Sequence, residues 1–291
     1  MGPPDLLFKY TSATTAEIVL ETQTLRWSRP DKFNDPTEFQ RVPLFKPTLN
    51  ESYNYFIDIL AESCQGRAAA IMGDLSPSAR KLFHLLKLVS SDVVKRDAII
   101  KNLKLSGPDF DEIAARRIYE LIVKRCIEEA RVMCLSADPV NTAMWTHYAD
   151  GHAGCVIGFR HLPEKDTVFQ TVKIITYANY PEPLTCGADF FLYGNTAKFS
   201  AQVLNGICFT KSIHWEYEQE WRAIWWELGD PTREYMIRPF YSDEIESITF
   251  GLNAKPQFVE SIKGLVRLNY QSCQMFRIVN SGGALSKIPV D

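Results

Sequence analysis

The chain has 291 residues, of which 46% are apolar and 23% are charged, and its formal net charge is −3. This composition is typical of a folded globular protein and excludes a disordered or fibrous chain. The nearly balanced charge gives no general reason to expect nucleic acid or an anionic membrane as a partner.

Seven cysteines are spread along the chain, mostly among apolar neighbours. Their odd number and wide spacing differ from a disulfide framework and from paired metal-binding cysteines, so we expect free thiols, no bound metal and a reducing compartment. No secretion signal and no apolar stretch of about 18 residues is visible in the sequence. The sequence therefore predicts a cytoplasmic protein without a membrane partner.

The pattern of elements changes along the chain. Residues 5–29 have the pattern of a strand, a helix and a second strand, and the loop RPDKFNDP follows them. From about 50 to 130 the pattern is helical, and we interpret this block as an insert or lid. Short strands return from 131 onward, mixed with helical patterns near 140–150, 189–205 and 256–269.

Strands mixed with helices, without regular alternation of the two, favour an α+β fold built on one mixed sheet. Strand patterns flank the helical block on both sides. We therefore expect residues 1–291 to form a single domain in which residues 50–130 are a helical insert.

The first stretch with candidate site residues is HWEYEQEWRAIWW, residues 214–226, which alternates charged with aromatic side chains. With a period of two, Glu216, Glu218, Glu220 and Arg222 share one face of a strand. Paired carboxylates can stabilise a developing cation and accept a proton. An exposed edge strand has the same alternation, because charges oppose edge pairing, so both interpretations stay open.

Two further stretches carry polar candidates. CLSADPVNTAMWTHYADGHAGCVIGFR, residues 134–160, predicts a strand, a turn, a short helix, a glycine-flanked turn and a second strand. His147 and Tyr148 lie on that helix and either face a pocket or belong to the structural framework. Lys9 and Tyr10 lie near a strand end, where a cation and a hydroxyl either hold a phosphate-bearing ligand or form a solvated rim.

The stretches LFKYTS, FNDPTE, MWTHYADGHAGCVIGF and WEYEQEWR, in that order, resemble the motifs of a widespread bacterial family known as domain of unknown function 2971. The resemblance extends over nearly the whole chain and explains residues 50–131 least. The same order of motifs is distantly similar to the ADP-ribosyltransferase superfamily. That likeness implies a mainly antiparallel sheet and NAD as co-substrate.

The likeness to the His-Tyr-Glu branch of that superfamily also implies roles for individual residues. In that branch a Tyr stacks on nicotinamide and a Glu steadies the ribose while the glycosidic bond breaks. By motif, Tyr148 takes the stacking role, Glu220 is the catalytic acid and Glu218 activates the acceptor. The first strand has Lys9 and Tyr10 where the branch has a His or an Arg. The candidates for binding the nucleotide are Lys9, Tyr10, Ser136, His147 and Arg222.

The resemblance thus predicts an ADP-ribosyltransferase-like enzyme that cleaves the nicotinamide–ribose bond of NAD. Its acceptor would be a protein, a nucleic acid, a small molecule or water. The alternative is a non-catalytic module that senses a nucleotide or binds a partner, in phage or stress defence. A metal-dependent nuclease or hydrolase using Glu218, Glu220 and His147 is a weaker third interpretation, because the sequence has no recognised spacing of metal ligands.

Overall fold

A computed structural model of the chain describes residues 4–40, 45–67, 74–107, 109, 112–179, 185–194, 196–230 and 232–290. The strands are β1 (Leu6–Thr11), β2 (Thr24–Ser28), β3 (Ala130–Ser136), β4 (Cys155–Arg160), β5 (Lys173–Ile174), β6 (Thr176–Ala178), β7 (Thr210–Ser212), β8 (Glu220–Trp226), β9 (Tyr235–Pro239), β10 (Ile245–Phe250), β11 (Gln274–Ser281) and β12 (Ala284–Pro289). The helices are α1 (Ala13–Thr22), α2 (Leu49–Cys64), α3 (Pro77–Leu88), α4 (Val93–Leu105), α5 (Glu112–Glu129), α6 (Thr142–Tyr148), α7 (Gly187–Tyr193), α8 (Ala197–Cys208) and α9 (Pro256–Asn269).

The main sheet is mixed and mostly antiparallel. Its strands follow the order β12-β11-β10-β4-β1-β3-β2-β9, and β8 pairs with β3 and with β5. The pair β10–β11 is parallel, whereas the other pairs of this sheet are antiparallel. A separate parallel pair joins β6 to β7. The predicted α+β fold with a mixed, mainly antiparallel sheet is therefore confirmed.

Local sequence explains the first three elements well. In β1, Leu7 faces the large core, whereas Phe8 and Tyr10 pack in a second cluster with Trp145. Both faces of this central strand are thus covered, which suits its apolar composition. The N-cap of α1 is Ser12, whose hydroxyl accepts from the Thr15 amide.

By their internal contacts, the described residues divide into two compact units. The first unit comprises those within 1–36, 127–178 and 209–291, and it contains all the strands named above. The second comprises those within 37–126 and 179–208. The expectation that residues 1–291 form a single domain stays a prediction.

The second unit has its own helical core. A capping box between Thr48 and Glu51 starts α2, whose residues Phe56 and Leu60 pack in one buried cluster with α3. Leu192 of α7 belongs to the same cluster. The block predicted as helical, 50–130, is therefore helical over α2 to α5, and its core also draws on a later segment of the chain.

The strand predicted over the acidic and aromatic stretch begins later than expected. Residues Ile213–Glu218 form a 3₁₀ helix, Gln219 adopts a left-handed backbone conformation with φ of 45°, and β8 starts at Glu220. The prediction of a single period-two strand through Glu216 and Glu218 was wrong. Alternation of polar and aromatic residues over so few positions is also compatible with two turns of 3₁₀ helix.

Candidate functional site

The side chains of Glu220 and Arg222 form the centre of the candidate site. In the antiparallel ladder Glu220 lies opposite Ser136 and Arg222 opposite Cys134, so these residues share one face of the sheet. The guanidinium of Arg222 donates to Glu220 Oε1 from Nε at 2.8 Å. Both residues are almost completely buried, at 2% and 0% exposure. The sequence suggested a solvent-facing strand or a site, and the first alternative is wrong for these two positions.

Lys211 joins the two glutamates. Its ammonium group lies 2.6 Å from Glu218 Oε2 and 3.1 Å from Glu220 Oε2. It also lies 4.9 Å from the centroid of the Trp215 ring. The buried cluster therefore contains two carboxylates and two cations, which compensate one another in a region of low effective dielectric. We call Lys211, Glu218, Glu220 and Arg222 the charged cluster.

Tyr148 links the charged cluster to α6. Its hydroxyl donates to Glu218 Oε1 at 2.7 Å, and the side chain of Asn34 also forms a hydrogen bond with it. Asn141 caps α6 by accepting from the Met144 amide, and its own side-chain amide donates to the Tyr217 carbonyl at 3.0 Å. The start of α6 is thus fastened to the 3₁₀ segment that carries Glu218, which fixes Tyr148 relative to Glu218.

The surroundings shift the pKa values of the two glutamates in opposite directions. Burial raises the pKa of Glu220, but the charges of Arg222 and Lys211 outweigh burial and lower it to about 2. Burial raises the pKa of Glu218, and Lys211 only partly offsets that effect. Burial and then the Glu218 charge raise the pKa of Tyr148, so this phenol stays neutral. Glu220 is therefore firmly ionised, whereas Glu218 is the carboxylate that takes up a proton more easily.

The structure brings only part of the predicted set into contact with the charged cluster. Ser136 donates its hydroxyl to the Glu218 carbonyl at 2.7 Å and so positions the backbone there. Tyr10 is buried, and its hydroxyl donates to the Asp138 carbonyl and accepts from the Asn141 amide, which fixes the loop before α6.

Lys9 and His147 are placed differently from the other candidates. Alternation along β1 puts Lys9 on the opposite sheet face from Tyr10, and its ammonium group donates to the Cys134 carbonyl at 2.9 Å. His147 is exposed, and its ring meets the Tyr148 ring edge to face. Any role for these two residues in binding a nucleotide stays a prediction.

Three residues of the site were missed in the sequence. Lys211 bridges the two glutamates, and Asn34 contacts Tyr148. The Tyr177 hydroxyl accepts a hydrogen bond from the Glu220 backbone amide at 2.7 Å. Tyr177 and Lys211 lie opposite each other in the β6–β7 pair. Asn34 lies in the FNDP loop, and Lys211 lies shortly before the WEYEQEWR motif. The motifs therefore pointed to these parts of the chain but did not indicate what Asn34 and Lys211 contact.

Over the part of the chain that the structure describes, no group of three or more His, Cys, Asp and Glu side chains is arranged to hold a metal ion. Within the same residues, none of the helices is both long and apolar enough to cross a membrane. All seven cysteines are free thiols.

The comparisons with known proteins give one match. A family model described as a protein of unknown function (DUF2971) matches residues 144–223. This range begins in α6 and ends in β8, and it contains Tyr148 and all of the charged cluster. The match supports the family expected from the motifs. No curated protein and no solved structure matches the chain.

Proposed function

We propose that the chain is an ADP-ribosyltransferase-like enzyme that cleaves the nicotinamide–ribose bond of NAD at the charged cluster. The observation that carries this proposal is a pair of carboxylates, Glu218 and Glu220, that share one lysine and have pKa values shifted in opposite directions. Two neighbouring acids with separated pKa values are suited to two different tasks in one reaction.

The chemistry assigns those tasks. Breaking a glycosidic bond develops positive charge on the ribose, and a carboxylate that stays ionised stabilises that charge. Glu220 meets this requirement because Arg222 and Lys211 lower its pKa to about 2. A carboxylate with a raised pKa is a better proton acceptor, so Glu218 would remove the proton of the acceptor group. Released nicotinamide leaves with the bonding electron pair, and the acceptor forms the new bond to the ribose carbon.

Access to the cluster would be from the end of α6. Tyr148 is partly buried and His147, next to it, is exposed, so the network reaches towards solvent there. In this proposal the Tyr148 ring packs against nicotinamide while its hydroxyl keeps Glu218 in place. The acceptor remains a protein, a nucleic acid, a small molecule or water.

The experiment measures nicotinamide release and labelling of acceptors from labelled NAD in a cell lysate. We expect Glu220→Gln to lower nicotinamide release by about a hundredfold or more, because it removes a preorganised charge. Glu218→Gln should abolish labelling and retain part of the hydrolysis. The matched control is Glu216→Gln, an exposed residue of the same segment, which should behave as wild type. Circular dichroism of each variant shows whether it is folded.

A second function has one specific observation in its favour. Glu220 is only 2% exposed and is held by two cations, as expected of a structural ion network in a non-catalytic nucleotide-binding module. This alternative predicts NAD binding by calorimetry without nicotinamide release. Equal, near-wild-type release from folded Glu220→Gln and Glu218→Gln would contradict the catalytic assignment.

A further inference from the structure

Strand β9 lies at one edge of the main sheet, where it pairs with β2 and, within the described residues, with no other strand. Just after β9, the amide of Phe240 donates to the Gln23 carbonyl at 3.1 Å. Bonds between antiparallel strands involve every second residue, so Tyr235 and Ile237 are not bonded to β2. The N–H and C=O groups of these two residues therefore point outward and can pair with a further strand.

Two arginines lie on the two faces of this edge. Arg26 of β2 lies opposite Ile237, and its guanidinium is 4.4 Å from the centroid of the Tyr235 ring. On the other face, the guanidinium of Arg238 is 3.8 Å from the centroid of the Trp225 ring. Neither arginine has a carboxylate partner in the described part of the chain. Positive charge thus flanks β9 on both faces, and the aromatic rings hold it there.

The side chains around the edge are large and accessible. Trp225, Tyr235, Ile237 and Tyr241 are each between 44% and 48% exposed. Trp225, Arg238 and Tyr241 line one cleft. An added strand would direct alternate side chains over this cleft and over the Tyr235 ring. Trp, Tyr and Arg are also the residues that most often dominate the binding energy of protein interfaces.

The charges decide which kind of strand fits this edge. Antiparallel pairing of β9 with a second copy of itself would bring the arginines of both copies together, and like charges across a strand pair oppose pairing. Acidic side chains on the added strand would instead pair with the guanidinium groups. We propose that β9 binds an extended acidic segment of another protein as an added strand, with carboxylates beside Arg26 and Arg238. This surface is independent of the proposed function.

Fluorescence anisotropy with the full chain and a labelled peptide tests this proposal. The peptide has about six residues, the usual length of a strand, and alternates Glu with Val. At low ionic strength we expect a dissociation constant of about 100 μM or lower. A peptide with Gln in place of Glu should bind more weakly, and one with Lys should bind most weakly.

Variants of the chain test the backbone and the charges separately. Ile237→Pro removes an outward N–H group and no bond to β2, so β9 should persist while the affinity falls by about tenfold or more. Arg26→Gln and Arg238→Gln should each weaken binding by about fivefold. The matched control is Lys287→Gln at the other edge of the sheet, where the ammonium group is 4.3 Å from the Phe276 ring centroid. It should leave the affinity unchanged.

Thermal melts of each variant show whether it is folded. Failure of the acidic peptide to bind, equal affinity for the Lys peptide, or unchanged affinity in folded Ile237→Pro would each overturn the proposal. Should Ile237→Pro not fold, unchanged affinity in both arginine variants would overturn it. A dimer of the wild-type chain in analytical ultracentrifugation that Ile237→Pro dissociates would assign the edge to a second copy, and would overturn it as well.

Discussion

Removal of the Lys211 charge should destabilise the protein strongly. Lys211→Met keeps most of the side-chain volume, removes the ammonium group that pairs with Glu218 and Glu220, and leaves the buried pair of Arg222 with Glu220 in place. At the observed separations of 2.6 and 3.1 Å, each attraction is about 5–6 kcal/mol for an effective dielectric constant near 20. The lysine no longer has to be desolvated, which offsets part of that loss. Breaking such a buried ion pair typically costs about 3–5 kcal/mol.

The assay is denaturation by urea at pH 7, followed in parallel by circular dichroism and tryptophan fluorescence. The control is Lys32→Met, which removes an exposed pair with Glu234 and should cost less than about 1 kcal/mol. Lys211→Met combined with Glu218→Gln should recover about half of the loss, because the carboxylate left without a cation is then neutral. A loss in Lys211→Met no greater than in Lys32→Met, or no recovery in the double variant, would refute the reasoning.

Two further predictions concern acid stability and close packing. The charges around Glu220 lower its pKa in the folded protein to about 2. The contribution of Glu220 to stability should therefore be complete above the pKa of this residue in the unfolded chain, and it should disappear as the pH falls from about 5 to about 2. The unfolding free energies of wild type and Glu220→Gln, measured as a function of pH, should differ by about 3 kcal/mol at neutral pH and become equal in acid. Gly251→Ala should prevent folding or lower the melting temperature severely, because the new Cβ would lie 2.1 Å from the His152 carbonyl oxygen. Gly264→Ala is the control: this position of α9 is open and exposed, and alanine favours a helix more than glycine does, so the melting temperature should rise slightly.

The elements with strong local signals were predictable from the sequence. The β1–α1–β2 order follows from apolar patterning and turn residues, and α6 follows from the cap at Asn141 and the glycines after it. The motifs also marked Tyr148, Glu218 and Glu220 as candidate site residues, but they did not indicate that Tyr148 contacts Glu218. Short-range patterning is sufficient for these features, since capping and burial of one face act within a few residues.

The interior of the site depended on the tertiary structure. Residues 213–218 form a 3₁₀ helix because long-range bonds hold its end: Ser136 binds the Glu218 carbonyl and Tyr177 binds the Glu220 amide. Local propensity does not include such bonds. The role of Lys211 could not be predicted from the sequence, because a lysine is buried only where acidic side chains pair with it. Glu218 and Glu220 pair with Lys211 only in the folded chain, where β7 packs beside the 3₁₀ segment. The sequence by itself determined which acids are present, and the tertiary structure decided that they are buried, paired and different in pKa.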